Sequence, residues 1–113
     1  PLYSSAASDV YKRQKYIMRI DWDDNKSQKL KRERGFALEE VSVLIENPGS
    51  VTDRKSDDPE QSYAIGFVQS RLITLIFETR EDVDGEFIWL VTYWKATKSE
   101  TKIYEQSKSK KES

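Results

Sequence analysis

The stretch YAIGFVQSRLITLIFETREDVDGEFIWLVTYW, residues 63–94, decides the fold. It holds three runs rich in Ile, Val, Thr, Tyr, Phe and Trp: Tyr63 to Val68, Arg71 to Glu78, and Glu86 to Trp94. Those residue types suit a pleated, half-buried surface. Gln69-Ser70 parts the first two runs, and the acidic, glycine-containing segment Glu81 to Gly85 parts the last two. Connections so short join antiparallel strands, because a parallel pair needs a crossover of a dozen residues or more. An antiparallel meander is therefore expected, with Phe87, Trp89, Val91 and Tyr93 alternating onto one face of its last strand.

Working toward the N-terminus, Val51 to Arg54 reads as a further strand, set off by the charged loop Lys55 to Gln61 that contains Pro59. Leu38 to about Glu46 reads as a helix with Leu38, Val41, Leu44 and Ile45 on one face, stopped by Asn47-Pro48-Gly49. Asp23, Asp24 and Asn25 offer caps for an earlier helix that runs to Arg34, with Gly35 as its stop. Leu30 is its one clear apolar residue, so this helix should lie exposed. Met18 to Trp22 reads as a short edge strand. Beyond the meander, Thr97-Lys98-Ser99-Glu100 has the pattern of a capping box, so a last helix is expected from Lys98 to about Ser107, followed by a disordered charged tail, 108–113. The whole reads as one α+β domain over residues 18–107. Its antiparallel sheet has four to five strands, with two N-terminal helices and one C-terminal helix, and one sheet face is left open.

A chain of 113 residues has room for one modest core. Nineteen basic residues face twenty acidic ones, and a net charge of -1 gives no global attraction to nucleic acid. The charges are segregated, however. Residues 24–34 hold Lys26, Lys29, Lys31, Arg32 and Arg34 against Asp24 and Glu33, the chain end from Lys95 onward is lysine-rich, and residues 46–86 are acidic. A fold that brings the two basic stretches together would make one face able to hold a phosphate backbone; ordinary solvated helix faces are the alternative. The chain has no cysteine and no histidine, which excludes disulfides, thiolate nucleophiles, zinc sites built on those residues, and Ser-His or Cys-His machinery. No metal or cofactor is expected. No run approaches the ~18 apolar residues of a membrane span and no signal-peptide pattern is evident, so a cytoplasmic protein is expected.

Three segments carry a resemblance. IDWDDNKSQKLKRERGFALEEV, residues 20–41, resembles the opening signature of the BrnT toxin family: an aromatic-rich strand, W-D-x-x-K, a basic helix, and a glycine followed by F-x-x-E/D. SYAIGFVQSRLITLIFETRE, residues 62–81, resembles that family's central hairpin, and WKATKSETKIYEQ, residues 94–106, its closing R-K-A-T-x-x-E-x-x-x-Y-E motif. The matches lie in family order. The resemblance implies a RelE/ParE-like fold, a metal-independent endoribonuclease activity, and neutralisation by a cognate antitoxin, BrnA-like and of the ribbon-helix-helix DNA-binding type. In that chemistry basic side chains hold and polarise the scissile phosphate while the ribose 2′-hydroxyl attacks. A catalytically inactive member that binds its antitoxin and autoregulates transcription is the alternative, and a gyrase-poisoning activity on the same fold a third.

The family pattern carries over residue by residue. Lys26 matches the lysine of W-D-x-x-K, Arg71 the arginine after the hairpin turn, Lys95 the lysine of R-K-A-T, and Glu100 and Tyr104 the last helix's glutamate and tyrosine. The expected catalytic set is Lys95, Arg71, Lys98 and Tyr93, and the expected RNA contacts are Lys26, Arg34, Trp94, Lys102 and Tyr104. Each has a plain structural alternative: solvated helix charges for Lys98 and Lys102, ion pairs for Lys26, Arg34 and Arg71, core packing for Tyr93, and helix capping for Glu100. The chain departs from the family at Glu33-Arg34-Gly35, where relatives carry Lys-His-Gly, and at Trp94, where they carry arginine. The second departure removes a bidentate phosphate donor and offers a base-stacking ring instead.

The string DVYKRQ, residues 9–14, resembles the in-frame translation of a transposon-end sequencing adapter. Residues 1–17 are accordingly expected to be non-native, with the natural start near Met18; a genuine arm bringing Tyr11, Lys12 and Arg13 to RNA is the alternative.

Overall fold

The computed structural model describes residues 18–58 and 60–112, with side chains through Ser109. Residues 1–17, expected to be adapter-derived, lie outside the described residues. One sheet dominates. Its strands are β1 (Arg19–Asp21), β2 (Val51–Arg54), β3 (Gln61–Val68), β4 (Arg71–Asp82) and β5 (Gly85–Lys95), in the order β1-β5-β4-β3-β2. The helical segments are α1 (Asp24–Arg34), α2 (Leu38–Val41), α3 (Val43–Glu46) and α4 (Lys98–Glu112).

The meander β2 to β5 is antiparallel, as its short turns require. The sheet as a whole is mixed, which corrects the expectation of an antiparallel one: β1 runs parallel to β5, with Ile20 opposite Ile88. Connection length fixes direction only for neighbours in sequence, and β1 meets β5 after the whole intervening chain.

Residues of β4 sort the two faces. Ile73 and Leu75 join the core beneath the N-terminal helices with Leu38, Val41, Leu44 and Tyr93. Thr74 points the other way, to Glu100 of α4. The second face is therefore partly covered by α4 instead of open. Segments as short as α2 and α3 have no stability of their own. Leu38, Val41 and Leu44, all fully buried, hold them down, and each such side chain contributes about 1.5–3 kcal/mol. Gly66 of β3 permits the close approach: a Cβ there would lie 2.8 Å from Leu44 Cδ2 and 2.9 Å from Ser50 Oγ.

Local chemistry explains the ends. The Asp23 carboxylate accepts from the Asn25 amide at 3.0 Å to open α1, and Gly35, at φ 101°, closes it with its amide on the Lys31 carbonyl. The single helix expected over Leu38 to Glu46 is broken at Ser42, whose hydroxyl donates to the Glu39 carbonyl at 2.6 Å, a local bond that competes with the helix ladder. The Thr97 hydroxyl accepts from the Glu100 amide, and Glu100 accepts from the Thr97 amide at 2.8 Å, forming the capping box. Helix α4 continues to Glu112, past the end expected at Ser107. Lys108 helps carry it on, donating to the Gly49 carbonyl at 2.6 Å with its ammonium 5.0 Å from the Tyr104 ring centre.

One irregularity matters more than the rest. Between β4 and β5 the register shifts, with Ile76 opposite Thr92 but Phe77 opposite Leu90, so that Val91 is an extra residue. The bulge reverses the alternation expected along β5. Ile88, Leu90 and Tyr93 face the helical core, whereas Phe87 and Trp89 lie half-buried on the other side.

Candidate functional site

Lys95 shares a sheet face with Tyr93, two residues before it, and because of the bulge that face is the one of Ile73, with Arg71 two residues along β4 from Ile73. Without the extra residue Lys95 would point to the α4 side. Arg71 extends past the end of β4 beneath the C-terminus of α1. Its guanidinium lies 5.0 Å from the Phe36 ring centre and donates to the Arg34 carbonyl at 3.4 Å, a long and weak bond. A Cβ at Gly35 would meet Arg71 Nη1 at 2.8 Å, so the bare glycine gives the guanidinium its room.

Arg34 arrives from the last turn of α1. β1 covers Phe87 to Trp89 of β5, and among the described residues no strand covers the later part of that edge, where Arg34 Nη1 donates to the Tyr93 carbonyl.

Arg34, Arg71 and Lys95 line one groove of about 950 Å³, together with Phe67, Trp94 and Thr101. Among the described residues no acidic one lines it. All three cations are exposed, and among the described residues none of them pairs with a carboxylate; the ion pairs lie elsewhere, at Arg19 with Asp82 and Asp84, Lys31 with Glu40, Lys55 with Asp57 and Arg80 with Glu78. An anion entering the groove meets positive charge that no carboxylate among the described residues neutralises. The volume lies at the upper end of the ~300–1,000 Å³ range of ligand sites.

No protein-family model matches the chain, and no curated protein matches it. The site is therefore read from its own geometry.

Five of the expected site residues, Lys95, Arg71, Arg34, Trp94 and Tyr93, meet at this groove. Tyr93 does so as a wall. It is 1% exposed, and its hydroxyl donates to the Phe36 carbonyl at 2.8 Å while accepting from the Phe36 amide at 2.9 Å. Burial pushes its phenol above the usual range, against the opposing effects of the Phe36 bond and Arg34. A buried, doubly bonded hydroxyl is a packing anchor, the core-packing alternative for Tyr93. Trp94 is half-buried, and its indole N–H donates to Glu100 at 3.0 Å.

The other four stand apart. Lys26 sits two turns before Arg34, about 12 Å back along α1 at 1.5 Å per residue, exposed and outside the groove. Lys98 and Lys102 are exposed on α4 while Thr101 alone of that helix reaches the groove wall. Tyr104 packs edge-on against Phe67, with ring centres 5.6 Å apart.

Glu100 is the hub of this end. It accepts from Thr97, from Trp94, and from the Thr74 hydroxyl at 2.9 Å. Burial pushes its carboxyl up, but the Thr97 amide, Trp94 and Thr74 outweigh that and hold it below the usual carboxylate range. The residue that sequence reasoning missed is Phe67, an exposed aromatic in the groove. Its signal was available: it alternates with Ala64, Gly66 and Val68 of the core face and stands two residues before the turn.

Proposed function

We propose that the chain binds the sugar-phosphate backbone of RNA in the Arg34–Arg71–Lys95 groove and cleaves it, as the toxin of a toxin-antitoxin pair. The observation that carries this reading is the trio of unneutralised cations on an acid-free wall. The resemblance to BrnT toxins, with its implied RelE-like fold, ribbon-helix-helix antitoxin and cytoplasmic setting, supports it as well, since Arg71 and Lys95 are among the five positions that motif matching selects. In this reading the guanidiniums of Arg34 and Arg71 hold the non-bridging oxygens and draw charge from phosphorus. The ribose 2′-oxygen attacks, its proton passes to water, and the P–O5′ bond breaks beside the Lys95 ammonium, the 5′-oxygen taking a proton back from water to leave as a hydroxyl with a 2′,3′-cyclic phosphate behind it. DNA lacks the attacking hydroxyl and is bound without being cut.

A second reading, binding and autoregulation without cleavage, has one observation in its favour: with Tyr93 locked onto Phe36 and no acid on the wall, no side-chain base faces the phosphate. Induced expression of the whole chain separates the two. Wild type should arrest growth and degrade total RNA, and Lys95→Ala and Arg71→Ala should each relieve both effects. Equal growth and intact RNA in all three would sink the cleavage reading and leave binding.

A further inference from the structure

Stacking on a base needs a ring that is exposed, rigid and beside the phosphate site. Of the aromatics expected at the site, Tyr93 is buried with its hydroxyl bonded twice, and Trp94, expected to stack, is half-buried and tied to Glu100. Phe67 differs from both: it is 49% exposed, and from the α4 face of the sheet it lines the same groove that Arg71 and Lys95 enter from the core face at the strand ends. A single exposed phenylalanine is ordinary on a protein surface. This one is braced. Tyr104 meets it at an interplanar angle of 84°, the Lys108 ammonium lies 5.0 Å from the Tyr104 ring centre, and Lys108 is itself held by the Gly49 carbonyl. The brace runs from the loop after α3 through α4 to β3, and it fixes the ring while leaving half of it uncovered.

We propose that Phe67 is the platform on which an unpaired base stacks when the neighbouring phosphate is held by Arg34, Arg71 and Lys95. The inference rests on the phosphate-groove reading above and adds to it the residue that contacts the base. Tyr104, expected to touch RNA, is then a positioning residue behind Phe67. A π-face accepts any base, so the platform supplies affinity with little sequence preference.

The test measures binding of the full chain to two short labelled strands of equal length by fluorescence anisotropy at fixed salt. One strand is a 2′-O-methyl oligoribonucleotide, which cannot be cut; the other is abasic. Wild type should bind the base-bearing strand about 5- to 100-fold more tightly, the usual range for one stacked base. Phe67→Leu, which keeps apolar bulk without a π-face, should erase that preference and leave abasic binding unchanged, and Phe67→Trp should retain it. Lys95→Ala should weaken both strands alike. Wild type showing no preference overturns the platform, and needs no variant to fold. Phe67→Leu weakening both strands equally also overturns it, by making Phe67 a support for the groove's shape. Loss with Lys95→Ala in either case leaves the phosphate groove standing, whereas wild type binding neither strand overturns groove and platform together.

Discussion

The Tyr93 hydroxyl closes both backbone groups of Phe36 at 2.8 and 2.9 Å, which ties the loop between α1 and α2 to the centre of β5. Tyr93→Phe strands a buried N–H and a buried C=O, and should cost about 1–3 kcal/mol for the unmet groups. Urea unfolding should show that loss, while Kd for RNA at low temperature stays near wild type; a large loss of affinity in the folded variant would return Tyr93 to the functional set. Glu100 gives a prediction with a pH sign. Its carboxyl is held below its ordinary value by Thr97, Trp94 and Thr74 against the cost of burial, so its contribution to stability is present above the unfolded pKa of about 4.3 and is lost as pH falls through the folded value. The melting-temperature gap between wild type and Glu100→Gln should be wide at pH 6 and narrow toward pH 3, and a gap constant across that range would count against a role for the charge. Sequence disclosed residue types better than residue directions. Lys95 and Arg71 were legible as groove cations because motif matching selects them and both stand at strand ends. The face of Tyr93 depends on Val91, an extra residue that period-two counting along β5 cannot detect, whereas Phe67 stands on a regular strand whose alternation was readable.

At the scale of elements, the meander was readable because two-residue and acidic turns permit one pairing direction, and α1 because Asp23 and Gly35 mark its ends. The parallel pairing of β1 with β5 was not, since nothing local to Arg19–Asp21 records its partner. Nor was the break at Ser42, where a side-chain bond competes with the apolar period across it. The packing of α3 on β3 turns on Gly66, and its strength can be measured. Gly66→Ala pushes a methyl to 2.8 Å from Leu44 Cδ2, so it should cost about 1–3 kcal/mol as overpacking. Leu44→Ala alone should cost about 2–5 kcal/mol by leaving a cavity. Combined, the two should cost less than their sum, because the alanine methyl occupies space the leucine vacates. Strict additivity in urea unfolding would mean that α3 shifts as a whole and that the close approach does not set its position.

Across the whole molecule the charges form two ends along β4 and β5. Arg71 and Lys95 mark one end of these paired strands, and Glu81, Asp82, Asp84 and Glu86 the other. The eleven steps from Arg71 to Asp82 span on the order of 35 Å at ~3.4 Å per residue. A chain of net charge -1 cannot draw a polyanion from a distance, yet it can orient one. At physiological salt the Debye length is about 8 Å, and at 0.01 M it is about 30 Å, so the acidic end should be felt at the groove only in the dilute regime. Three phosphate contacts at roughly 0.7 each predict a slope near -2 for log K against log salt on single strands, and removing Lys95 should reduce its magnitude by roughly 0.7. The combined variant Glu81→Gln, Glu86→Gln spares Asp82 and Asp84, which Arg19 faces at 2.6 and 3.9 Å. Its affinity should match wild type near 0.15 M salt within about two-fold, and its association should be faster near 0.01 M, where screening is weak. Equal tightening at both salts would mean that the acidic turn meets the nucleic acid directly, and the groove at the far end would then not be where the strand lies.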